Sequence, residues 1–503
     1  MGSSGIPGFK LHASSLKLTT LGLVACGLWL AAFAAELDIN GVNRAEFWAY
    51  QDSWQTATED KFELNLRYGD LAGSAGFFLY EPSKPWVGLR RPLRLFDYSV
   101  AYSPEQFEVL FGKYYSEFGK GLALRTYKDD DFRHDKSLFG LRGTGHLPLS
   151  TELVLLGGRL RDIFFQENTY KVMNVADSTD QVLGANLDSR PLSWLGLGGR
   201  YVRINRSYDP TPKAFTELYG GNAGVTVGPV DFYAELCGRQ GTRPGIGGRE
   251  RGLGYYASVT GAFPGFSLLG QYMDYDKLGF PVGTYHWNDP PTPIKSGVAL
   301  DRGVDERGFG VQVTGSPLGT LYLEGNLGRL YRHDDTSAGV IEGEGKARYS
   351  LGQSWTFEFT VNHMNQKNVE LGTYSRTTNK PVVQVNYLFG QHTLALEAEY
   401  DWVGEQSSDN HFWKYHETAV ALSYGYGEAL LFTVGWQGVD ATLQKRYNGE
   451  RSWPVFETVS SLTERNMLRV RIGAERGGYT CSGGVCRFES PFRGAKVQLI
   501  SSF

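Results

Sequence analysis

The sequence predicts an all-β fold, a transmembrane antiparallel β-barrel of about 20–24 strands with short periplasmic turns and long external loops. Three observations predict it. Apolar and polar residues alternate with period 2 along most of the chain, and helical periodicity is nearly absent. Short connections alternate with long polar ones. The last alternating run ends on an aromatic residue, Phe503.

Composition narrows the class. Of 503 residues 64 are glycine, about 13% against a usual ~7%. Aromatic residues make 14%, and the charges nearly cancel at a net −4. A nucleic-acid binder needs a basic excess, so no nucleic-acid partner is expected. A disordered acidic chain is equally disfavoured. A mean hydropathy of −0.31 with one long apolar run excludes a multi-helix inner-membrane protein.

Residues 1–35 read as a secretory signal, leaving 36–503 as the barrel. Lys10 and Lys17 supply the positive region, and Leu18 to Ala32 is almost continuously apolar. Ala32-Phe33-Ala34-Ala35 offers small residues for cleavage before polar Glu36-Leu37-Asp38. A retained anchor is the first rival, but the run is short beside the ~20 residues a span needs. Lipidation of Cys26 in Leu23-Val24-Ala25-Cys26 is the second, although the apolar run continues past it. Strand-like sequence begins near Val42, so no plug domain is expected ahead of the barrel.

The strands follow in order. Phe62, Leu64, Leu66 and Tyr68 alternate with Glu63, Asn65 and Arg67. The same pattern recurs over Trp355–Asn362, Leu394–Asp401, Leu430–Gln437 and Leu468–Glu475. A soluble sandwich would also alternate. Trp355, Tyr400 and Trp436 at the tips of apolar faces suit an interfacial girdle instead, and charges occupy the opposite face at mid-strand. Tight turns are expected at 315–319, 350–353 and 425–428, and long loops at 273–305, 366–378, 404–413 and 440–465. In the last strand Ala495, Val497, Leu499, Ser501 and Phe503 share one face. Its terminal aromatic resembles the signal by which outer-membrane barrels meet their assembly machinery.

Export also bears on the cysteines. Cys26 leaves with the signal, and Cys237, Cys481 and Cys486 remain. In an oxidising compartment a Cys481–Cys486 disulfide across the Ser-Gly-Gly-Val loop is the natural reading. A metal pair is the alternative, without a His or second Cys pair beside it. Cys237 is left as a small buried residue or, alternatively, a reactive thiol.

Two stretches carry a family resemblance. One is Phe111-Gly-Lys-Tyr-Tyr-Ser-Glu-Phe-Gly-Lys-Gly-Leu-Ala-Leu-Arg125-Thr-Tyr-Lys-Asp; the other is Cys481-Ser-Gly-Gly-Val-Cys486-Arg-Phe. They resemble the uncharacterised outer-membrane barrel family of domain of unknown function 6029. The resemblance implies a large outer-membrane barrel and supplies no substrate, activity or catalytic residue.

If the apolar faces meet lipid, the lumen receives Glu63, Arg67, Arg200, Asp231, Glu235, Glu324, Glu358, Glu397, Glu399, Arg469, Arg471 and Glu475. Charges at membrane depth are tolerated where water or partners reach them. Eight of these twelve are acidic, so an open pore would weakly prefer cations. The plainer reading is that Glu–Arg pairs brace the wall. A constriction is expected where Arg90, Arg91 and Arg94 could face Arg125, Lys128, Asp129, Asp130, Asp131, Arg133 and Asp135, near glycines 112, 119 and 121. A solvated loop with locally paired charges is the plainer reading there. Asp129, Asp130, Asp131 and Asp135 could alternatively hold Ca²⁺ through oxygen ligands; no other cofactor or metal is expected.

Catalysis is not expected. His134-Asp135 and His333-Asp334-Asp335 supply residue types for acid–base work, but sequence neighbours rarely present the required geometry. No Gly-x-Ser-x-Gly, His-Glu-x-x-His or Cys-x-x-Cys-His occurs. Tyr285, Trp287, Phe412, Trp413 and Trp453 lie in or beside long loops, for interface anchoring or for stacking on a ligand. The sequence thus points to a porin-like channel in the cell outer membrane passing small polar solutes or ions, surrounded by outer-membrane lipid. The alternative is a non-catalytic structural or interaction barrel, its lumen filled or sheathing a partner such as an electron carrier.

Overall fold

The structure, a computed structural model, describes residues 37–51, 55–82, 91–129, 134–166, 171–173, 180–206, 213–243, 247–279, 287–293, 305–333, 335–368, 373–440, 451–482, 485–489 and 492–503. The expected signal, residues 1–35, and Cys26 within it lie outside these.

Alternation with period 2 produces strands, and neighbours in sequence pair antiparallel throughout. Of 26 strands hydrogen-bonded into one sheet, two short ones, Tyr127–Asp129 and Lys171–Met173, only extend the ends of neighbours. The other 24 form the wall. The first wall strand, Leu37–Tyr50, pairs with the last, Phe492–Ser502, from Val42↔Ser502 to Tyr50↔Gly494, which closes the barrel. Phe503 seals that seam: its amide and carbonyl bond to the carbonyl and amide of Gly41, each at 3.1 Å. Its ring stacks on Phe62 at 5.8 Å.

Wall strands run from 8 to 17 residues, spanning the ~9–11 that a tilted crossing needs. Connections at one end contain two to four residues, and at the other four to 28. Three expected loops were too long: the strands Trp355–Lys367 and Thr373–Phe389 run into 366–378, the strands His392–Ser407 and Phe412–Tyr426 leave only 408–411 of 404–413, and within 440–465 Ser452–Thr463 is a wall strand paired on both sides. Pro454 and the polar run Thr458-Val459-Ser460-Ser461 hide its alternation.

The outer face is apolar. Leu236, Leu327 and Val434 are 46%, 52% and 59% exposed there, part of a continuous belt of exposed large hydrophobics. A belt of that extent far exceeds the few hundred Å² that soluble monomers tolerate, so it requires an apolar surrounding. Aromatic pairs border it. Trp355–Tyr387 at 4.3 Å and Phe389–His392 at 4.9 Å lie at the turn end; Tyr400–Trp402 at 4.5 Å lies towards the loop end.

Candidate functional site

All twelve lumen candidates lie on the inner face, opposite the apolar belt, because they alternate with its residues. Strand register then decides their partners. Glu358 meets Lys346 and Arg348, both at 2.7 Å. Glu399 meets Lys380 at 2.5 Å, and Glu397 accepts from Gln384 at 2.6 Å. Glu457 receives Arg469 at 3.0 Å and Arg471 at 3.5 Å; Glu475 receives Arg471 at 2.8 Å and Lys496 at 2.6 Å. Glu324 accepts from Gln312 at 3.0 Å and Tyr322 at 3.1 Å; Asp231 accepts from Thr226 at 2.6 Å. Arg67 reaches the Gly69 carbonyl at 3.5 Å.

Lys346, Arg348, Lys380 and Lys496 were not among the sequence candidates. With them and Glu457, eight acids against four bases become nine against eight. The signal for these residues was available: each sits on the polar side of an alternating strand, and only register shows what it faces. Several of these charges remain accessible from the lumen, with Glu63 57%, Arg348 49% and Arg469 46% exposed at the side chain.

The opposite half of the lumen is covered from within. After the wall strand Phe107–Tyr114 the chain turns into the barrel, forms a small pairing of Glu117–Phe118 with Leu124–Arg125, and returns along His134–Leu147. Phe118, Leu122, Ala123 and Leu124 are fully buried against inward-facing Leu160, Val182, Val202 and Ile204. Each large side chain buried this way contributes about 1.5–3 kcal/mol.

The tip of this segment rests on a buried ion pair. Arg200 and Glu235 meet at 2.7 Å with both side chains 0% exposed. Glu235 also accepts the Lys120 amide at 2.8 Å and the Tyr233 hydroxyl at 2.7 Å, while Arg200 also donates to Asn222. Approach this close needs glycine. Gly119 has φ +65°, and a Cβ there would lie 1.3 Å from Arg200 Nη1. Gly121 has φ +85°, and its Cβ would lie 2.7 Å from the Asp289 carbonyl.

A second loop meets the first inside the barrel. The Arg125 amide donates to the Trp287 carbonyl at 3.0 Å, and its guanidinium lies 3.3 Å from Asp289. Asn288 donates to the Leu122 carbonyl at 3.0 Å. Trp287 is therefore buried rather than placed at an interface, and Trp453 is likewise buried, in an inward cluster with Val403, Tyr415, Val439 and Ala474. The apolar inner positions under both loops are what bury these indoles. Phe412 and Trp413 remain exposed, and Tyr285 lies outside the described residues.

Of the constriction candidates, Lys128 reaches Glu63 at 3.0 Å inside the barrel. Asp135 is buried, bonded to Lys113 at 2.5 Å and the Tyr115 hydroxyl at 3.0 Å. Lys113 also holds Asp97, which pairs with Arg161 at 2.9 Å. Arg90, Asp130, Asp131 and Arg133 lie outside the described residues, as do the side chains of Arg91, Arg94 and Asp129. Among the described residues no cluster of three or more His, Cys, Asp or Glu could hold a metal. His333 Nε2 lies 2.7 Å from Asp274, not beside a sequence neighbour. The His134 side chain and Asp334 lie outside the described residues. Cys481 and Cys486 sit directly opposite one another in the hairpin Gly478–Ser482 with Val485–Glu489, though their side chains are outside the described set. Cys237 is buried.

Comparison with known proteins agrees with this architecture. The model of the family of unknown function DUF6029 matches residues 76–240 and 344–503. No curated protein matches the sequence. Among solved structures, a chain of the E. coli P pilus tip assembly intermediate PapC-PapD-PapK-PapG is similar, with TM-score 0.52 and 10% identity over 93% of this chain and 60% of that one. The siderophore receptor PirA from Pseudomonas aeruginosa is similar with TM-score 0.48 and 9% identity, over 92% and 80%. Pseudomonas aeruginosa OccK11 (OpdR) gives 0.41 and 14%, over 70% and 96%. At 10% identity the likeness to the pilus assembly chain is one of fold alone.

Proposed function

Because the chain belongs to the family of unknown function DUF6029, no assigned activity fixes its role, and from the geometry we propose a passive channel of the cell outer membrane for small polar solutes or ions. The observation that supports this reading is the charge-lined half of the inner wall, with accessible Glu63, Arg348 and Arg469. A filled barrel would bury such charges or leave them out. The long-loop end faces outwards and the tight turns face the periplasm, as in barrels of this kind. The segment at 115–129 and the loop at 287–293 narrow the path from one side. Solutes would then move along the opposite wall, between closely paired charges of both signs. Such a wall favours polar solutes without strong ionic preference, and the chain acts without catalysis.

Liposome swelling with sugars, amino acids and salts tests this directly, and permeability to at least one class is expected. Permeability to none would refute it. The second reading, a structural or interaction barrel, draws on the inward segment, which fills part of the lumen. It predicts that failure, together with capture of a partner by the loops.

A further inference from the structure

At the loop end of the outer wall, Arg307 and Arg329 flank the ring of Tyr331, their guanidinium carbons 4.7 Å and 5.5 Å from its centroid. Register places Arg307 opposite Tyr331, and Arg329 between Phe309 and Ile341. Phe309, Leu327 and Ile341 are exposed on the same outward face. Two basic groups thus sit at the upper border of the apolar belt. The neighbouring Asp274, opposite Arg307, is occupied by His333 at 2.7 Å and Tyr272 at 3.1 Å.

Directly below, the belt is hollow. Gly343 lies across from Leu327, and Gly325 pairs with Gly345 one step further down. A Cβ added at Gly325 or Gly345 would meet nothing within 4 Å. A groove of about 790 Å³ runs from there towards the turn end, lined by Val313, Leu323, Gly325, Gly345, Ala347 and Phe359. Arg329 lies four strand steps from Gly325, about 13 Å at ~3.3 Å each. The outward face therefore offers cations above and an acyl-wide groove beneath.

We propose that this face binds a membrane lipid whose phosphate headgroup carries a net negative charge, its phosphate on Arg307 and Arg329 and an acyl chain in the groove over Gly325 and Gly345. Guanidinium groups match phosphate oxygens in charge and geometry, and the glycines admit a chain that side chains would displace. The inference rests on the membrane-spanning reading of the wall. It commits to the leaflet at the loop end, because both arginines are there.

The test uses full-length protein in mild detergent, offered mixed micelles of phosphatidylglycerol or of phosphatidylcholine with the same chains, and read by native mass spectrometry. Retention of phosphatidylglycerol is expected to fall about thirtyfold in the Arg307→Ala/Arg329→Ala variant, as for two basic groups at an anionic surface. It should recover partly in the Arg→Lys pair. The Gly325→Leu/Gly345→Leu variant should also lose the lipid. Equal retention by parent and arginine variant, or equal retention of both lipids, overturns the proposal. Displacement by inorganic phosphate alone at similar concentration would assign the arginines to free phosphate and overturn it too. Unheated gel mobility checks folding of each variant. Conductance in the same preparations separates the two readings: loss of conductance with lipid discrimination intact removes the channel and leaves this site standing.

Discussion

The inward segment is held by a contact that can be removed without touching the wall's hydrogen bonds. Glu235 is fully buried, bonded to Arg200, Tyr233 and the Lys120 amide. Removing one partner of a buried pair costs about 3–5 kcal/mol, because the other charge is left uncompensated. Docking the segment gains about 1.5–3 kcal/mol for each of Phe118, Leu122 and Leu124. Against this stands about 1–2 kcal/mol for every residue ordered. The net is a small difference of large terms, so losing the anchor shifts it decisively. We predict that Glu235→Ala releases residues 115–126, raises single-channel conductance in planar bilayers and speeds amide exchange there. Gly119→Ala should do the same with every ionisable group retained. Its left-handed backbone costs about 1–2 kcal/mol for a non-glycine residue, and its Cβ would collide with Arg200. If both variants fold and keep parental conductance and protection, the segment does not narrow the path.

Three further outcomes follow from other contacts. Glu358→Gln leaves Lys346 and Arg348 facing the lumen unbalanced, so the reversal potential under a salt gradient should move towards anion preference; the carboxylate is nearly buried while both cations reach solvent, so stability should fall by about 1–3 kcal/mol. No movement would take that wall out of the ion path. Deleting Phe503 removes the stack on Phe62 and two hydrogen bonds to Gly41. The amount of folded barrel recovered from outer membranes should fall, and an unchanged yield would deny this residue an assembly role. Thiol alkylation of folded, mature protein should label nothing before reduction and two thiols after it, with Cys237 reacting only on unfolding. Two thiols labelled before reduction would mean Cys481 and Cys486 are not bonded.

Much of the wall was legible because period 2 is a local property. Glu63 and Arg67 could be placed on the inner face from their alternation with Phe62, Leu64 and Leu66 alone. Partner choice was not legible, since it depends on register between strands. Lys346 and Arg348 flank Glu358 only because Arg348 lies opposite Glu358. A constriction near glycines 112, 119 and 121 was expected from charge, but the apolar docking that covers half of the lumen was missed. Val202 and Ile204 share the inner face with Arg200, so that face turns apolar towards the loop end. This break in polarity was visible in the sequence and marks where something must dock. The occupant, residues 118–124, reads as a charged loop in one dimension, because its apolar members are interleaved with Gly119, Lys120 and Gly121.

The seam between the first and last strands also bears on the time order of folding. Val42 finds Ser502 across 460 positions of chain. Contacts of such separation close late, because loop-closure entropy must be met before they give anything back. Until that moment the strands at 37–50 and 492–502 each present an open edge with unpaired amides and carbonyls. Every other wall pairing joins near neighbours and can form progressively, so closure is a single terminal event. A chain stalled just short of it would be a nearly complete sheet with two adhesive margins, and the last few residues decide whether it becomes a closed barrel or an aggregate.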